Sequence, residues 1–222
     1  DDDGLLDGAE DINGDGYVDA FESDPSDADT DGDGIQDGTE VGLSSPQSLD
    51  TRLEYFVADL DPQTSTSPVD TDSDDDGIAD GEEDSDFDGL QDAGETDASN
   101  LDSDGDGIQD GTESGIGVGL PDTDTTIFVP DGDAMIVSDP LDADSDDDGL
   151  LDGFEDSNHD GVQDSNETSV LNSDTDGDQL LDGQELGLSQ PQSDDTDFLI
   201  FVPDAQPVST TDPLDADSDD DG

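Results

Sequence analysis

Apolar residues are sparse in this chain and fall in two kinds of place. One kind is a single residue recurring inside short acidic stretches: Tyr17, Ile35, Ile78, Leu90, Ile108, Leu150, Val162 and Leu180. The other is three denser clusters, "LEYFVADLDP" (53–62), "TTIFVPDGDAMIVSDP" (125–140) and "DFLIFVPDAQPVSTTDP" (197–213). Aromatic and β-branched residues bounded by Pro and Asp predict short strands there, and strand–"PDGD"–strand in the second predicts a hairpin. An isolated hairpin is marginal in water, so each is expected to pack on its own repeat or to pair with a neighbouring repeat or chain. Recurring Gly argues against long helices. The longest wholly apolar run, "FLIFV" (198–202), is far too short to span a membrane.

The acidic stretches are copies of one dodecamer. "DTDGDGIQDGTE" at 29–40 returns at 102–113 with only Thr30 changed, to Ser103. Read as D-x-D/N-x-D-G-x-x-D-x-x-E, complete copies begin at Asp11, Asp29, Asp72, Asp84, Asp102, Asp144 and Asp156. An eighth begins at Asp174, with Gln179 in the glycine place. Partial copies stand at the start (Asp1, Asp3, Asp7, Glu10) and at the finish (Asp217, Asp219, Asp221). The copies form three lines, 1–73, 74–145 and 146–218, and a fourth opens at 219–222. Each line divides into loops and a β-prone spacer: 1–43 and 44–73, 74–114 and 115–145, 146–187 and 188–218. Starting and stopping inside the same motif is what a window on a longer array would do.

Charge makes this pattern matter. The chain has 222 residues, of which 70 are Asp or Glu, against one Arg (Arg52), no Lys and one His (His159), for a formal charge of −69. Two carboxylates about 5 Å apart repel by roughly 1 kcal/mol in water and several times more in a partly dry site. With 27% hydrophobic and 4% aromatic residues, the chain cannot collapse on an oily core alone. Either it is disordered or something strongly positive completes it. A field of this sign repels nucleic acid and anionic membranes. Without cysteine there is no disulfide frame and no thiolate metal site.

Ca²⁺ is the cation this spacing suits. It takes six to eight oxygens at about 2.3–2.6 Å, and oxygens at positions 1, 3 and 5 converge when the backbone winds tightly round one point. Gly at position 6 permits the sharp turn, position 7 offers a carbonyl, position 9 a carboxylate or water, and position 12 a chelating Glu. In 11–22 these side chains are Asp11, Asn13, Asp15, Asp19 and Glu22, and in 29–40 they are Asp29, Asp31, Asp33, Asp37 and Glu40. The next two copies supply Asp72, Asp74, Asp76, Asp80 and Glu83, then Asp84, Asp86, Asp88, Asp92 and Glu95. Copy 102–113 supplies Asp102, Asp104, Asp106, Asp110 and Glu113, and 144–155 supplies Asp144, Asp146, Asp148, Asp152 and Glu155. The last two supply Asp156, Asn158, Asp160, Asp164 and Glu167, and Asp174, Asp176, Asp178, Asp182 and Glu185. At least one ion per complete loop is expected, and the sequence does not choose between one and two. Upstream Asp27, Asp70, Asp142 and Asp215 extend the register toward a second ion.

Successive loops abut, Glu83 on Asp84 and Glu155 on Asp156, so no helix can flank them as in an EF-hand. Apolar position 7, rather than 8, makes the same distinction. "DADSDDDGLLDGFEDSNHDGVQD" and "DTDGDGIQDGTE" resemble thrombospondin type 3 repeats, in the cysteine-free form of prokaryotic surface proteins. The resemblance covers 1–43, 70–114 and 142–186. It implies little regular secondary structure, a chain wrapped around a row of calcium ions, and neighbouring ions that share carboxylates. The expected architecture is therefore an elongated array of calcium-stapled tandem loops with short β-strands or hairpins in the spacers.

No catalytic residue stands out. His159, at position 4 of a loop, is expected to point outward, and Arg52 to neutralise nearby carboxylates. Paired Asp residues could serve a glycosidase, but the metal pattern accounts for every pair. "PQTSTSP" (62–68) is a candidate for O-linked sugar, whereas the sequon at Asn166 contains the position 12 ligand Glu167, which argues against its use. The expectation is a non-enzymatic, extracellular or cell-surface structural protein, stiffened by calcium and self-associating into a filament, stalk or array. A calcium-dependent adhesion or carbohydrate-binding module and a disordered acidic calcium buffer or mineral nucleator are the alternatives.

Overall fold

The computed structural model describes residues 1–219; Asp221, a candidate ligand, lies outside them. Regular structure among those residues is confined to six single helical turns: α1 (Asp7–Glu10), α2 (Asp37–Glu40), α3 (Asp80–Glu83), α4 (Asp110–Glu113), α5 (Asp152–Glu155) and α6 (Asp182–Glu185). Each is the Asp-Gly-x-Glu that closes a dodecamer, so the helix lies inside the loop and not beside it. The chain forms two compact units, Asp1–Leu101 with Gly119–Phe128, and Asp102–Val118 with Val129–Gly222.

Side-chain carboxylates wind the loops. Asp31 Oδ1 accepts the Asp33 N–H at 3.3 Å and Asp33 Oδ1 accepts the Ile35 N–H at 2.8 Å. Such a bond from residue i+2 is an Asx turn, and two in succession curl the backbone around the carboxylates. The curl needs left-handed φ at positions 4 and 6, met in 29–40 by Gly32 (+86°) and Gly34 (+115°). Elsewhere a side chain bears the cost, as at Phe87 (+60°), His159 (+56°) and Gln179 (+86°).

Glycine at position 6 has a second use, because a ring lies against it. A Cβ on Gly34 would meet the Phe87 ring at 2.8 Å, one on Gly77 the Phe128 ring at 2.6 Å, and one on Gly107 the His159 ring at 3.0 Å. Phe56 and Phe201 crowd Gly4 and Gly149 in the same way. His159 is thus turned onto a neighbouring loop, with Nε2 3.0 Å from the Gly153 carbonyl oxygen, and does not point outward.

Loops of one class stack. In the first unit Gly38 sits on the Asp3 carbonyl oxygen and Gly81 on that of Asp33; in the second, Gly153 sits on Asp106 and Gly183 on Asp148. The bonds are specific: Asp33 Oδ2 accepts the Gly81 N–H at 3.1 Å, Asp106 Oδ2 that of Gly153 at 2.6 Å, and Asp148 Oδ2 that of Gly183 at 2.8 Å. The first unit therefore carries loops 1–10, 29–40 and 72–83 in series, and the second carries 102–113, 144–155 and 174–185. The remaining copies, 11–22, 84–95 and 156–167, have Ala20, Ala93 and Ser165 at position 10. A β-carbon there excludes this stacking.

The expected β-strands are not present in the spacers. No residue of 53–62, 125–140 or 197–213 is in a strand. A strand needs a ladder partner, and these segments spend their amides elsewhere. Asp124 and Asp197 start turns, taking the N–H groups of Ile127 and Phe128, and of Ile200 and Phe201. The extended residues then bond one at a time to loops: Val57 N–H to Gln36 Oε1 at 2.9 Å, Val129 N–H to Gln109 Oε1 at 2.7 Å, and Asp204 N–H to the Leu188 carbonyl at 2.7 Å. "PDGD" does not close a hairpin, because Gly132 donates to the Asp160 carbonyl of a loop at 2.8 Å. The turns deliver Phe128 and Phe201 to their glycines, where each is buried.

Gly38 and Gly8 occupy equivalent positions in α2 and α1, but only Gly38 has a carbonyl against it; nothing lies within 4 Å of a Cβ on Gly8. Gly38→Ala is expected to cost about 2 kcal/mol or more through forced backbone shifts. Gly8→Ala is expected to be neutral or stabilising by up to about 1 kcal/mol. Thermal or urea unfolding at one fixed ion concentration checks the contrast.

Candidate metal centre

The stacked loops gather the carboxylates that the dodecamer pattern singles out. In the first unit, ligand-competent oxygens within 4.8 Å of one another come from Asp1, Asp3 and Glu10; from Asp29, Asp31 and Asp33; from Asp72, Asp74 and Asp76; and from Asp33, Glu40 and Asp80. The first three groups lie inside one loop. The fourth crosses from one loop to the next, and Asp33 belongs to two groups. Position 9 of loop 72–83 thus meets positions 5 and 12 of the preceding loop.

Position 9 is held by position 2 of its own loop. Thr30 donates from N–H and hydroxyl to Asp37 (2.7 Å each), Ser73 to Asp80 (2.7 and 2.6 Å), and Thr175 to Asp182 (2.9 and 2.6 Å). Ser103 does the same for Asp110 at 2.8 and 2.6 Å, which is why Thr30 can become Ser103 and nothing else changes. The hydroxyl at position 2 and the Gly at position 10 were both legible as repeated letters, although neither belongs to the ligand pattern.

Many of these oxygens are buried and lack a donor. Asp72, Asp80, Asp144, Asp152 and Asp182 have no exposed surface, and Glu40, Glu83, Glu113, Glu155 and Glu185 are 2% exposed. Oδ1 of Asp72 and Asp144, Oδ2 of Asp3, Asp74, Asp104, Asp146, Asp152 and Asp176, and Oε2 of Glu40 and Glu113 accept no hydrogen bond. Neither oxygen of Glu83, Glu155 or Glu185 does so. Upstream Asp70 adds Oδ1 to this set, while its N–H donates to Asp31 Oδ2 at 2.9 Å. A buried polar atom without a partner costs on the order of 1–3 kcal/mol, and more if charged. An all-oxygen set of this kind can hold a metal ion, and it suits a hard cation.

The second loop of each line is built differently. Glu22, Glu95 and Glu167 close back on their own loops: Oε1 accepts the N–H of Asn13, Ser85 or Ser157 at 3.0–3.1 Å, and Oε2 that of Asp19, Asp92 or Asp164 at 2.9–3.2 Å. Asn13 Nδ2 donates to Asp19 and Asn158 Nδ2 to Asp160. Asp15, Asp86 and Asp92 are exposed, and Asp11 is half-buried. Asp7 and the partial copy at Asp217 and Asp219 are exposed as well.

Gln179 keeps the geometry of the glycine it replaces, donating its N–H to Asp174 Oδ2 at 2.9 Å, as Gly77 and Gly107 do to Asp72 and Asp102 at 3.1 Å. Its φ of +86° disfavours a side chain by about 1–2 kcal/mol. Gln179→Gly is expected to stabilise the fold by about 1 kcal/mol in calorimetry, the gain being reduced by glycine's chain entropy.

Electrostatics sharpen the picture. Burial, with neighbouring carboxylates adding to it, pushes Glu40, Glu83, Glu113 and Glu155 up to about 10. Hydroxyls of Thr96 and Thr168 near Glu83 and Glu155 offset part of this. The same cause raises Asp74, Asp104 and Asp146 to about 8, Asp31 to about 7, and Asp144 and Asp148 to about 6. At the opposite extreme, hydrogen bonds from the Arg52 side chain and backbone lower Asp2, the Arg52 Nε–Asp2 distance being 2.7 Å. Folded-state values above the unfolded ones stabilise the metal-free fold in acid, and that stabilisation is lost as pH rises through about 6–10. Metal binding runs the other way because it needs the ionised form. Chelated protein is therefore expected to compact in acid and expand toward neutral pH, and metal to abolish the expansion. Scattering across a pH series with and without chelator reads both arms.

Comparison with known proteins finds no matching family model, no matching curated protein and no matching solved structure.

Proposed function

We propose that this chain is a calcium-binding structural repeat protein of the thrombospondin type 3 kind, ordered and stiffened by the ions it holds. The observation that carries this reading is the set of buried, donor-free carboxylate oxygens repeated at one register in successive stacked loops. Calcium is favoured over magnesium because it accepts many protein oxygens in flexible geometry, whereas magnesium keeps several waters. The structural, non-enzymatic role is supported by where the titratable groups are spent. Carboxylates face one another or loop amides, and the His159 ring nitrogen meets the Gly153 carbonyl oxygen.

Extracellular or cell-surface placement follows from ion supply, since open sites of this type often need about 10⁻⁴–10⁻³ M calcium. A loop-on-loop contact repeated along the chain suits serial assembly into a filament, stalk or array, as nearest-neighbour repeats do.

The test is ion counting by mass spectrometry joined to scattering and circular dichroism, with calcium and with chelator. Calcium is expected to convert an expanded chain into a compact one with several bound ions, and magnesium to do so less well. An ion-free chain equally compact at neutral pH would overturn the reading. Asp33 serves its own loop and the group with Glu40 and Asp80, and its Oδ2 holds Gly81. Asp33→Ala is therefore expected to remove more bound calcium than Glu54→Ala, an exposed spacer change that is expected to remove none.

A further inference from the structure

The second loops lie off the stack, yet each of two of them is joined to it by a spacer. In the first unit, Asp59 of the spacer lies over Gly89 of loop 84–95; a Cβ there would meet the Asp59 carboxylate at 2.6 Å and the Thr39 methyl at 3.3 Å. Leu60 N–H donates to the Asp88 carbonyl at 2.9 Å, and the Thr39 hydroxyl donates to the Val57 carbonyl at 3.0 Å. The second unit repeats each part. Asp131 crowds Gly161 beside the Thr112 methyl, Gly132 donates to the Asp160 carbonyl at 2.8 Å, and Thr112 donates to the Val129 carbonyl at 2.6 Å. Three segments therefore meet at one glycine in each joint.

The spacer carboxylates are buried and half used. Asp59 is 2% exposed and Asp131 7%. Oδ1 of each accepts the amide two residues on, Asp61 at 2.7 Å and Asp133 at 2.9 Å. Oδ2 of each is enclosed and accepts nothing. The position 1 Asp of the loop bonds the same glycine. Asp84 and Asp156 each give Oδ2 to the glycine N–H, at 2.7 and 2.8 Å. Oδ1 of Asp156, a residue 4% exposed, is again without a donor.

No cation of the chain reaches these joints. There is no Lys, Arg52 is paired with Asp2 and lies over the Tyr55 ring, and the His159 ring rests on Gly107. Asp84 gives Oδ1 to the Asp88 N–H as well, at 3.2 Å. A buried carboxylate oxygen without a donor, beside a second carboxylate on the same glycine, calls for a bound cation.

We propose that Asp59 and Asp131 are ligands of a divalent cation held with Asp84 and Asp156 respectively, a staple that fixes each second loop to the stack. The dodecamer pattern does not contain this site, since one ligand comes from the spacer. It rests on the calcium reading above and extends it to the second loops, whose position 12 Glu is committed to backbone amides. Loop 11–22 lacks the arrangement: nothing lies within 4 Å of a Cβ on Gly16.

The experiment counts calcium on the full chain by native mass spectrometry, for the unaltered protein and for Asp59→Asn, Asp131→Asn and the double variant. Each single change is expected to remove one ion and the double change two. Asp133→Asn, on an exposed neighbour, should remove none. Asp131→Glu, which restores a charged oxygen, should recover the ion and keeps the test decisive if Asp131→Asn folds poorly. An unaltered protein that binds no calcium defeats the general reading. A protein that binds calcium but keeps its full count in both Asn variants defeats this site alone. Equal loss in Asp131→Asn and Asp131→Glu would assign the residue to packing and overturn the proposal too.

Discussion

Everything in this fold depends on how carboxylates are kept close together in a place that water does not reach. Seventy acidic side chains share one Arg and one His, yet Asp72, Asp80, Asp144 and Asp152 are fully buried. Such a set is tolerable in only two ways. Protons can neutralise it, which explains why burial raises these groups so far, or cations can bridge it. A hydrophobic core does not compete, because buried apolar side chains such as Ile35, Ile108 and Leu150 are few and scattered. At about 1.5–3 kcal/mol each they add modestly to stability, but they do not define the fold.

Backbone amides do the positioning. An Asp at position 5 has two oxygens with separate duties: Asp148 Oδ1 takes the Leu150 N–H of its own loop and Oδ2 takes the Gly183 N–H of the next. One residue thereby sets the curl of a loop and its register on a neighbour. The aromatic residues follow the same economy of placement. Phe56, Phe87, Phe128, His159 and Phe201 each cover the glycine of one loop, shielding a turn whose amides are already bonded to Asp. Rings so distributed cannot merge into a common core.

The carboxylate clusters were legible because the acidic residues recur at fixed intervals, and composition alone cannot produce that order. The loops at 29–40 and 72–83 gather the residues this spacing marks. What the spacing does not encode is the difference between loop classes. Copies with Gly at position 10 stack and keep Glu83, Glu155 and Glu185 off the loop amides; copies with Ala or Ser there turn Glu22, Glu95 and Glu167 onto amides. The letter that separates them is not a ligand. The spacers misled for a related reason. Val, Ile and Phe in short runs fit a pleated strand, but strand formation depends on a partner edge that lies outside the run. Here each spacer amide finds a loop oxygen or a Gln side chain first, so Val57 and Val129 are extended without being paired.

These two loop classes imply a division of labour along the chain. On the calcium reading, stacked loops share carboxylates between neighbours, so the occupancy of one site should favour the next through Asp33, which belongs to two of the groups. Second loops are closed by hydrogen bonds from their own amides to Glu22, Glu95 and Glu167. On the calcium reading, depletion would therefore act first on the stacks, where anions are most crowded, and leave the second loops as locally ordered turns. The joints at Gly89 and Gly161 decide whether those turns stay attached. If a cation is shared there as proposed, two carboxylates that repel when the joint is empty would bind when it is filled, and the joint would change sign with the ion. On the calcium reading, stiffness in such a chain is a property of the ion concentration as much as of the sequence.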